Sequence, residues 1–169
     1  ELDPLVNKSG RVWHCWVPEE MARGAVYYGY RVDGPVGHRF DPRKILLDPC
    51  APSVHFPEGY SREACMGPGP TDGRAPLGVL PVESPEFDWG RDDRPRHTHD
   101  AVIYELHVKG FTARTNSGVS EEHRGTFAGI VEKIPYLLEL GVTIVELLPV
   151  HQFDPQEHNY WGYMTLNFM

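Results

Sequence analysis

The residues best placed to act on a ligand are Asn159-Tyr-Trp-Gly-Tyr163, three large aromatic rings with one glycine among them. Flat aromatic faces cover the apolar sides of a ligand and keep water from a reacting bond. Gly162 lets the backbone turn tightly between two of the rings. A second candidate set is the acid pair Glu105 and Glu146. The two lie in apolar runs that read as consecutive strands, so they could share a face. On that reading Ile103, Glu105, His107 and Lys109 alternate with Tyr104, Leu106 and Val108. Each acid then sits inside its strand, in a polar layer with His107 or Lys109 as partner, rather than as a catalytic pair. His151, Asp154, Glu157 and His158 crowd the loop before the aromatic cluster. A seven-residue His spacing on an irregular loop fixes no coordination geometry, so no metal and no cofactor is expected. His97-Thr-His99 reads as a solvated approach to the first of these strands.

The elements that must position these residues are legible from residue 99 onward. Ala101 to Thr112 and Gly141 to Pro149 are short apolar runs bounded by turn residues, the pattern of buried parallel strands. Between them Phe127, Ile130, Val131, Ile134, Leu137 and Leu138 recur at three- and four-residue intervals, which predicts a helix over about 126–140. Thr126 can cap its start and Gly141 can end it in a left-handed conformation. Pro135 removes a helix hydrogen bond, so a kink or split is expected near Glu132–Ile134. The unit is strand, helix, strand. The aromatic cluster lies on the loop leaving the second strand's carboxyl end, where ligands sit in α/β folds.

Residues 1–55 read as β. Arg11 to Pro18 and Ala25 to Val32 are rich in aromatic and β-branched residues and suggest a hairpin-like pair around a Glu19–Gly24 loop. Trp13 and Trp16 are expected to feed a core, although either could be an exposed platform, and Tyr27, Tyr28 and Tyr30 carry the same ambiguity. So few strands cannot bury a sandwich core alone, which suggests an incomplete module. Residues 56–98 are rich in Pro and Gly and lack periodicity, so a linker and domain boundary are placed there. Phe87 and Trp89 would anchor that linker, and Arg91 to Arg96 mixes charge signs like a solvated segment.

Composition narrows the classes. A formal net charge of −8 over 169 residues, with no basic run, argues against nucleic-acid binding. No apolar run approaches a membrane span. Cys15, Cys50 and Cys65 are odd in number and lack metal-type spacing, so they read as buried or idle thiols in a reducing compartment. The opening Glu1-Leu-Asp-Pro has neither Met nor leader, which suggests a processed chain or a fragment.

Seven stretches, taken in order, carry a resemblance. They are Tyr28-Gly-Tyr-Arg-Val-Asp-Gly-Pro35, Gly37-His-Arg-Phe-Asp-Pro42, Leu46-Leu-Asp-Pro49, Asp88-Trp89, Ile103-Tyr-Glu-Leu-His-Val-Lys-Gly-Phe-Thr112, Glu146-Leu-Leu-Pro-Val150 and Asn159-Tyr-Trp-Gly-Tyr163. In this order the chain resembles isoamylase-type debranching enzymes of the α-amylase superfamily of glycoside hydrolases. Glu1-Leu-Asp-Pro4, Asn7 and Val12-Trp-His14 look most like the plant and algal isoamylases.

The resemblance implies an α/β plus β architecture. An incomplete starch-binding-type β-sandwich (1–55) and a linker (56–98) would precede the first β-α-β of a (β/α)8 TIM barrel (99–169), the chain being truncated at both ends. It implies retaining hydrolysis of α-1,6 branch linkages in amylopectin, glycogen or limit dextrins. The superfamily's nucleophilic Asp, acid Glu and third Asp lie near the fourth, fifth and seventh barrel strands, so no catalytic residue is assigned here and the segment alone is expected to be inactive. Tyr163 matches the tyrosine that stacks under the glucose beside the scissile bond. Trp161 matches a position that is Trp in isoamylases and polar in many amylases. The implied partner is branched α-glucan, without nucleic acid or membrane, in plastid stroma for a plant or algal source and otherwise in cytoplasm. The alternative is a non-catalytic glucan-binding or assembly subunit, which the family also contains. The motifs leave oligomeric state open.

Overall fold

Short strands and frequent turns dominate the first eighty residues, because Pro and Gly interrupt every apolar run. The computed structural model describes residues 1–81, 86–90 and 97–168; the charged stretch Arg91 to Arg96 lies outside them. Lys8–Ser9 (β1) and Val12–Trp13 (β2) form an antiparallel hairpin. The expected partner of the 11–18 run was the 25–32 run, and the two do not pair. Pro18 instead opens a one-turn helix, Glu19–Ala22 (α1), whose first turn carries Glu19 and Glu20, where acids favour the helix N-terminus.

Tyr27–Tyr28 (β3), Val54–His55 (β4) and Leu77–Val79 (β5) make a second sheet in the order β3-β5-β4, antiparallel throughout. Its central strand comes from the 56–98 stretch, which the sequence reading treats as a linker. That stretch also holds a helix, Arg62–Met66 (α2), capped by Ser61, whose hydroxyl accepts the Ala64 N–H at 3.1 Å. Four residues between Pro76 and Pro81, three of them in β5, are too few to show an alternating pattern, so β5 left no local signature. Tyr28 donates its hydroxyl to Asp48 at 2.8 Å. Burial first, then that bond, pushes its phenol up to about 12, so it remains a donor across the neutral range.

The tryptophans depart from expectation. Trp13 is exposed with Lys8 Nζ 5.2 Å from its ring, and Trp16 is 92% exposed. Neither feeds a core: the two-stranded hairpin has no facing layer to bury Trp13, and Trp16 lies on the irregular segment after β2. Phe87 and Trp89 are exposed too and pack edge-to-face on each other, centroids 4.8 Å apart, rather than anchoring onto a neighbouring surface. Cys15 and Cys50 are exposed, not buried; only Cys65 is half-buried, and burial pushes its thiol up.

The strand-helix-strand reading holds in the second half. Ile103–Leu106 (β6) and Ile144–Leu147 (β7) pair in parallel, Ile103 opposite Ile144 through Leu106 opposite Leu147. Thr143 extends the ladder by accepting the Val102 N–H on its hydroxyl at 2.9 Å. Between the strands lie Val108–Thr112 (α3), Phe127–Glu132 (α4) and Ile134–Glu139 (α5). The break between α4 and α5 falls at Lys133, as Pro135 requires. Pro135 sits in the first turn of α5, where no intrahelical N–H is needed. Thr126 caps α4 by accepting the Gly129 N–H, and Gly141 follows α5 at φ +76°. Of the apolar stripe only Leu137 is fully buried, since two strands cover only part of the helical layer.

Candidate functional site

Two sets of contacts hold the loop that follows β7. The first joins it to residues 51–62 by carboxamides gripping main-chain atoms. Val79 N–H bonds to Ser53 O, so the N–H and C=O of Val54 point toward the opposite, free edge of β4. Gln152 fills that edge: its Oε1 accepts Val54 N–H at 2.5 Å and its Nε2 donates to Val54 O at 2.8 Å. Gln156 repeats the arrangement, accepting from Arg62 N at 2.8 Å and donating to Tyr60 O at 3.1 Å. Asn167, buried, donates to Ala51 O at 2.6 Å. Arg62 adds charge between them, with Nε 3.3 Å from Asp154 and Nη1 2.9 Å from Glu157. Asp154 is only 4% exposed. It also caps the short 3-10 turn Pro155–Glu157 by accepting Gln156 N–H. Burial and the neighbouring Asp154 push the Tyr60 phenol up.

The second set centres on His107. The sequence reading places His107 and Lys109 in the strand, as partners for the acids. The chain instead leaves β6 at Leu106, and His107 caps α3, its Nδ1 accepting Gly110 N–H at 3.1 Å. Its Nε2 lies 2.9 Å from Tyr160 O. The imidazole stands perpendicular to two rings at once, with centroids 5.0 Å from Tyr160 and 5.7 Å from Trp161. Tyr160 and Trp161 stack on each other at 5.2 Å, and Lys109 Nζ sits 5.8 Å from the Tyr160 ring. The sequence reading names Tyr160 only within the aromatic cluster and His107 only as a partner for the acids, and assigns neither a role of its own here. His is a poor N-cap signal, and nothing in residues 103–112 shows a strand ending at Leu106.

Of the two site residues expected from the sequence, Trp161 joins this cluster and is 45% exposed. Tyr163 stands apart from it, 66% exposed, beyond the turn at Gly162, whose φ is +80°. A cleft of about 390 Å3 opens nearby, lined by Phe56, Val150 to Phe153 and Pro155, but neither aromatic contributes to it. The two rings thus form an open surface rather than a pocket.

Glu105 and Glu146 lie directly opposite in the parallel register, each one residue from its strand end. Both are exposed, and among the described residues neither has a hydrogen-bond or ion-pair partner, so the expected polar layer with His107 or Lys109 does not form. Of the four loop residues weighed as metal ligands, Asp154 and Glu157 are engaged by Arg62, and His151 packs edge-to-face on Phe168. Among the described residues no three His, Cys, Asp or Glu side chains come together as a metal site.

This geometry, a short-stranded β region joined to a parallel strand-helix-strand unit with aromatics at its carboxyl edge, fits the comparisons with known proteins. Residues 1–51 match the family Carbohydrate-binding module 48 (Isoamylase N-terminal domain), a β-sandwich-type module. Nearly the whole chain is similar to three kinds of relative. Isoamylase 3, chloroplastic, of Oryza sativa subsp. japonica is 42% identical over 99% of this chain and 23% of its own length. The Glycogen operon protein GlgX homolog of Mycobacterium bovis is 42% identical over 98% of this chain and 26% of its own length. The Glycogen debranching enzyme of Dickeya chrysanthemi is 36% identical over 96% and 27%. The resemblance to isoamylase-type debranching enzymes read from the motifs is borne out. The chain spans about a quarter of the length of these relatives. No helix among the described residues is long and apolar enough to cross a membrane.

Proposed function

We propose that the chain is the glucan-engaging front of a debranching glycoside hydrolase that cleaves α-1,6 linkages in starch or glycogen. Residues 1–55, with β5 completing their sheet, supply a carbohydrate-binding-type module, and 99–169 the opening of a (β/α)8 barrel, of which β6 and β7 are the first two strands. Such a barrel needs about 250 residues, and the two carboxyl groups of a retaining mechanism, about 5–5.5 Å apart, belong to its later strands. Within the chain, Tyr163 is the ring that a glucose unit stacks on, with Trp161 beside it. The partner is a branched α-glucan. The setting is plastid stroma for a plant or algal source, in keeping with relatives named as chloroplastic, and cytoplasm for a bacterial one.

The observation that carries this reading is the parallel β6–β7 pair with an exposed Tyr163 on the loop from the carboxyl end of β7. Stacking of an aromatic ring on a sugar's C–H face contributes on the order of 1 kcal/mol beyond the area it covers. Replacing Tyr163 by Ala should therefore weaken binding of maltoheptaose roughly five- to tenfold while leaving the fold intact. Tyr163→Phe, which keeps the ring, should stay within about twofold. Affinity unchanged by Tyr163→Ala in a chain that binds the oligosaccharide would overturn the assignment.

A further inference from the structure

We propose that His107 is a positioning residue for the aromatic loop, resting on the reading of that loop as a glucan surface. Each nitrogen of its imidazole has one possible role. Gly110 N–H donates to Nδ1 at 3.1 Å, so Nδ1 carries a lone pair and no proton. The neutral ring then has its proton on Nε2, and the atom 2.9 Å from Nε2 is Tyr160 O, a pure acceptor. One side chain thus fastens the start of α3 and the middle of the aromatic loop in a single tautomer. The residues it links are 53 positions apart in the chain.

The grip acts at the point where it matters for ligand contact. Tyr160 is held by its carbonyl, and the imidazole stands perpendicular to both Tyr160 and Trp161, so their mutual stack has a fixed wall. Lys109, the second residue of α3, sets its Nζ 5.8 Å from the Tyr160 ring. Tyr163 follows after the Gly162 turn and makes no hydrogen bond through its hydroxyl among the described residues. Its backbone is held from the far side by the Asp154 N–H bond to Met164 O and the Phe153–Thr165 bridge, and from the near side by what fixes residues 160–161.

Two substitutions separate this role from simple helix capping. In His107→Asn, Oδ1 lies as many bonds from Cβ as Nδ1 did and is a good N-cap acceptor, but nothing reaches Tyr160 O. In His107→Gln, Nε2 lies as many bonds from Cβ as the imidazole Nε2 and can donate to Tyr160 O, while the cap is lost. The experiment uses the full chain and two readouts. One is the near-ultraviolet circular dichroism of the Tyr160–Trp161 stack, identified as the band removed by Trp161→Phe. The other is maltoheptaose affinity.

Positioning predicts that His107→Asn loses the band and about five- to tenfold in affinity, the worth of one hydrogen bond, while His107→Gln keeps the band and stays within about twofold. The reverse pattern, with Asn silent and Gln disruptive, marks His107 as only a cap and overturns the proposal. So does equal behaviour of the two variants at matched thermal stability. If the band follows the expected order but no variant and no parent chain binds maltoheptaose, positioning stands and the glucan reading of the loop falls.

Discussion

Replacing Gln152 by Ala removes both ends of a clamp that completes the outer edge of β4. The two bonds, Val54 N–H to Oε1 and Nε2 to Val54 O, are between neutral groups, each contributing about 1 kcal/mol net. Val54 itself is only 5% exposed, so its two main-chain groups become unsatisfied unless the loop opens to water. Gln152 is exposed, which lets water enter and keeps the loss near the lower bound, about 2 kcal/mol. For a chain of this size that lowers Tm by roughly 4–8 °C. Differential scanning calorimetry reads the shift, and amide exchange at Val54 should accelerate with it.

Gln152→Glu sharpens the test. It keeps the acceptor, loses the donor and sets a carboxylate oxygen against Val54 O, so near neutral pH it should be no more stable than Gln152→Ala. As pH falls through the carboxylate range, the protonated acid regains a donor and its gap to the parent chain narrows. If both variants melt within a degree or so of the parent, the clamp contributes nothing and the account of the seam is wrong.

Arg62→Met leaves Asp154 buried opposite no cation. The loss should be roughly 1–3 kcal/mol by urea unfolding, short of a fully buried pair because the guanidinium is partly exposed; Arg62→Lys should recover only part of it, since one ammonium cannot span both carboxylates as the fork does. Glu132 accepts from the hydroxyl and N–H of Ser120 and from His123, and these bonds, Ser120's hydroxyl foremost, hold its carboxyl at about 2 against an ordinary 4.5. Because the folded value is depressed, the tie between residues 120–123 and α4 is fully present above the ordinary value and lost as pH falls from there toward about 2. The protection factor of the Ser120 amide, taken relative to its intrinsic exchange rate at each pH, should fall across that window and stay flat in Glu132→Gln.

The strand-helix-strand unit was legible because its signals are local. The apolar runs have turn residues at both ends, Thr126 and Gly141 mark the helical stretch, and Pro135 marks its break at Lys133. The β region was not, for the opposite reason. Two- and three-residue strands fall below any periodic window, and the partner of Tyr27–Tyr28 lies some fifty residues away at Leu77–Val79, a pairing no neighbouring residue announces. Trp16 shows the cost of composition alone: an aromatic in a β-like run suggests a core, yet only a facing layer can bury it. At the site, Trp161 and Tyr163 stood out as residue types, whereas His107 depended on where β6 ends. One further pleat would have kept it among the strand residues.

Apart from a long bond that Gln152 accepts from the Ser53 hydroxyl, the three amides that join residues 152–167 to residues 51–62 address peptide groups. These main-chain bonds make few demands on the side chains of the 51–62 stretch, Arg62 excepted, whose guanidinium engages Asp154 and Glu157. The spacing of the stretch has no such freedom. Deleting a single residue between Val54 and Tyr60 would throw Gln152 and Gln156 out of step with each other, and the aromatic loop would lose its footing even with every chemical group still present.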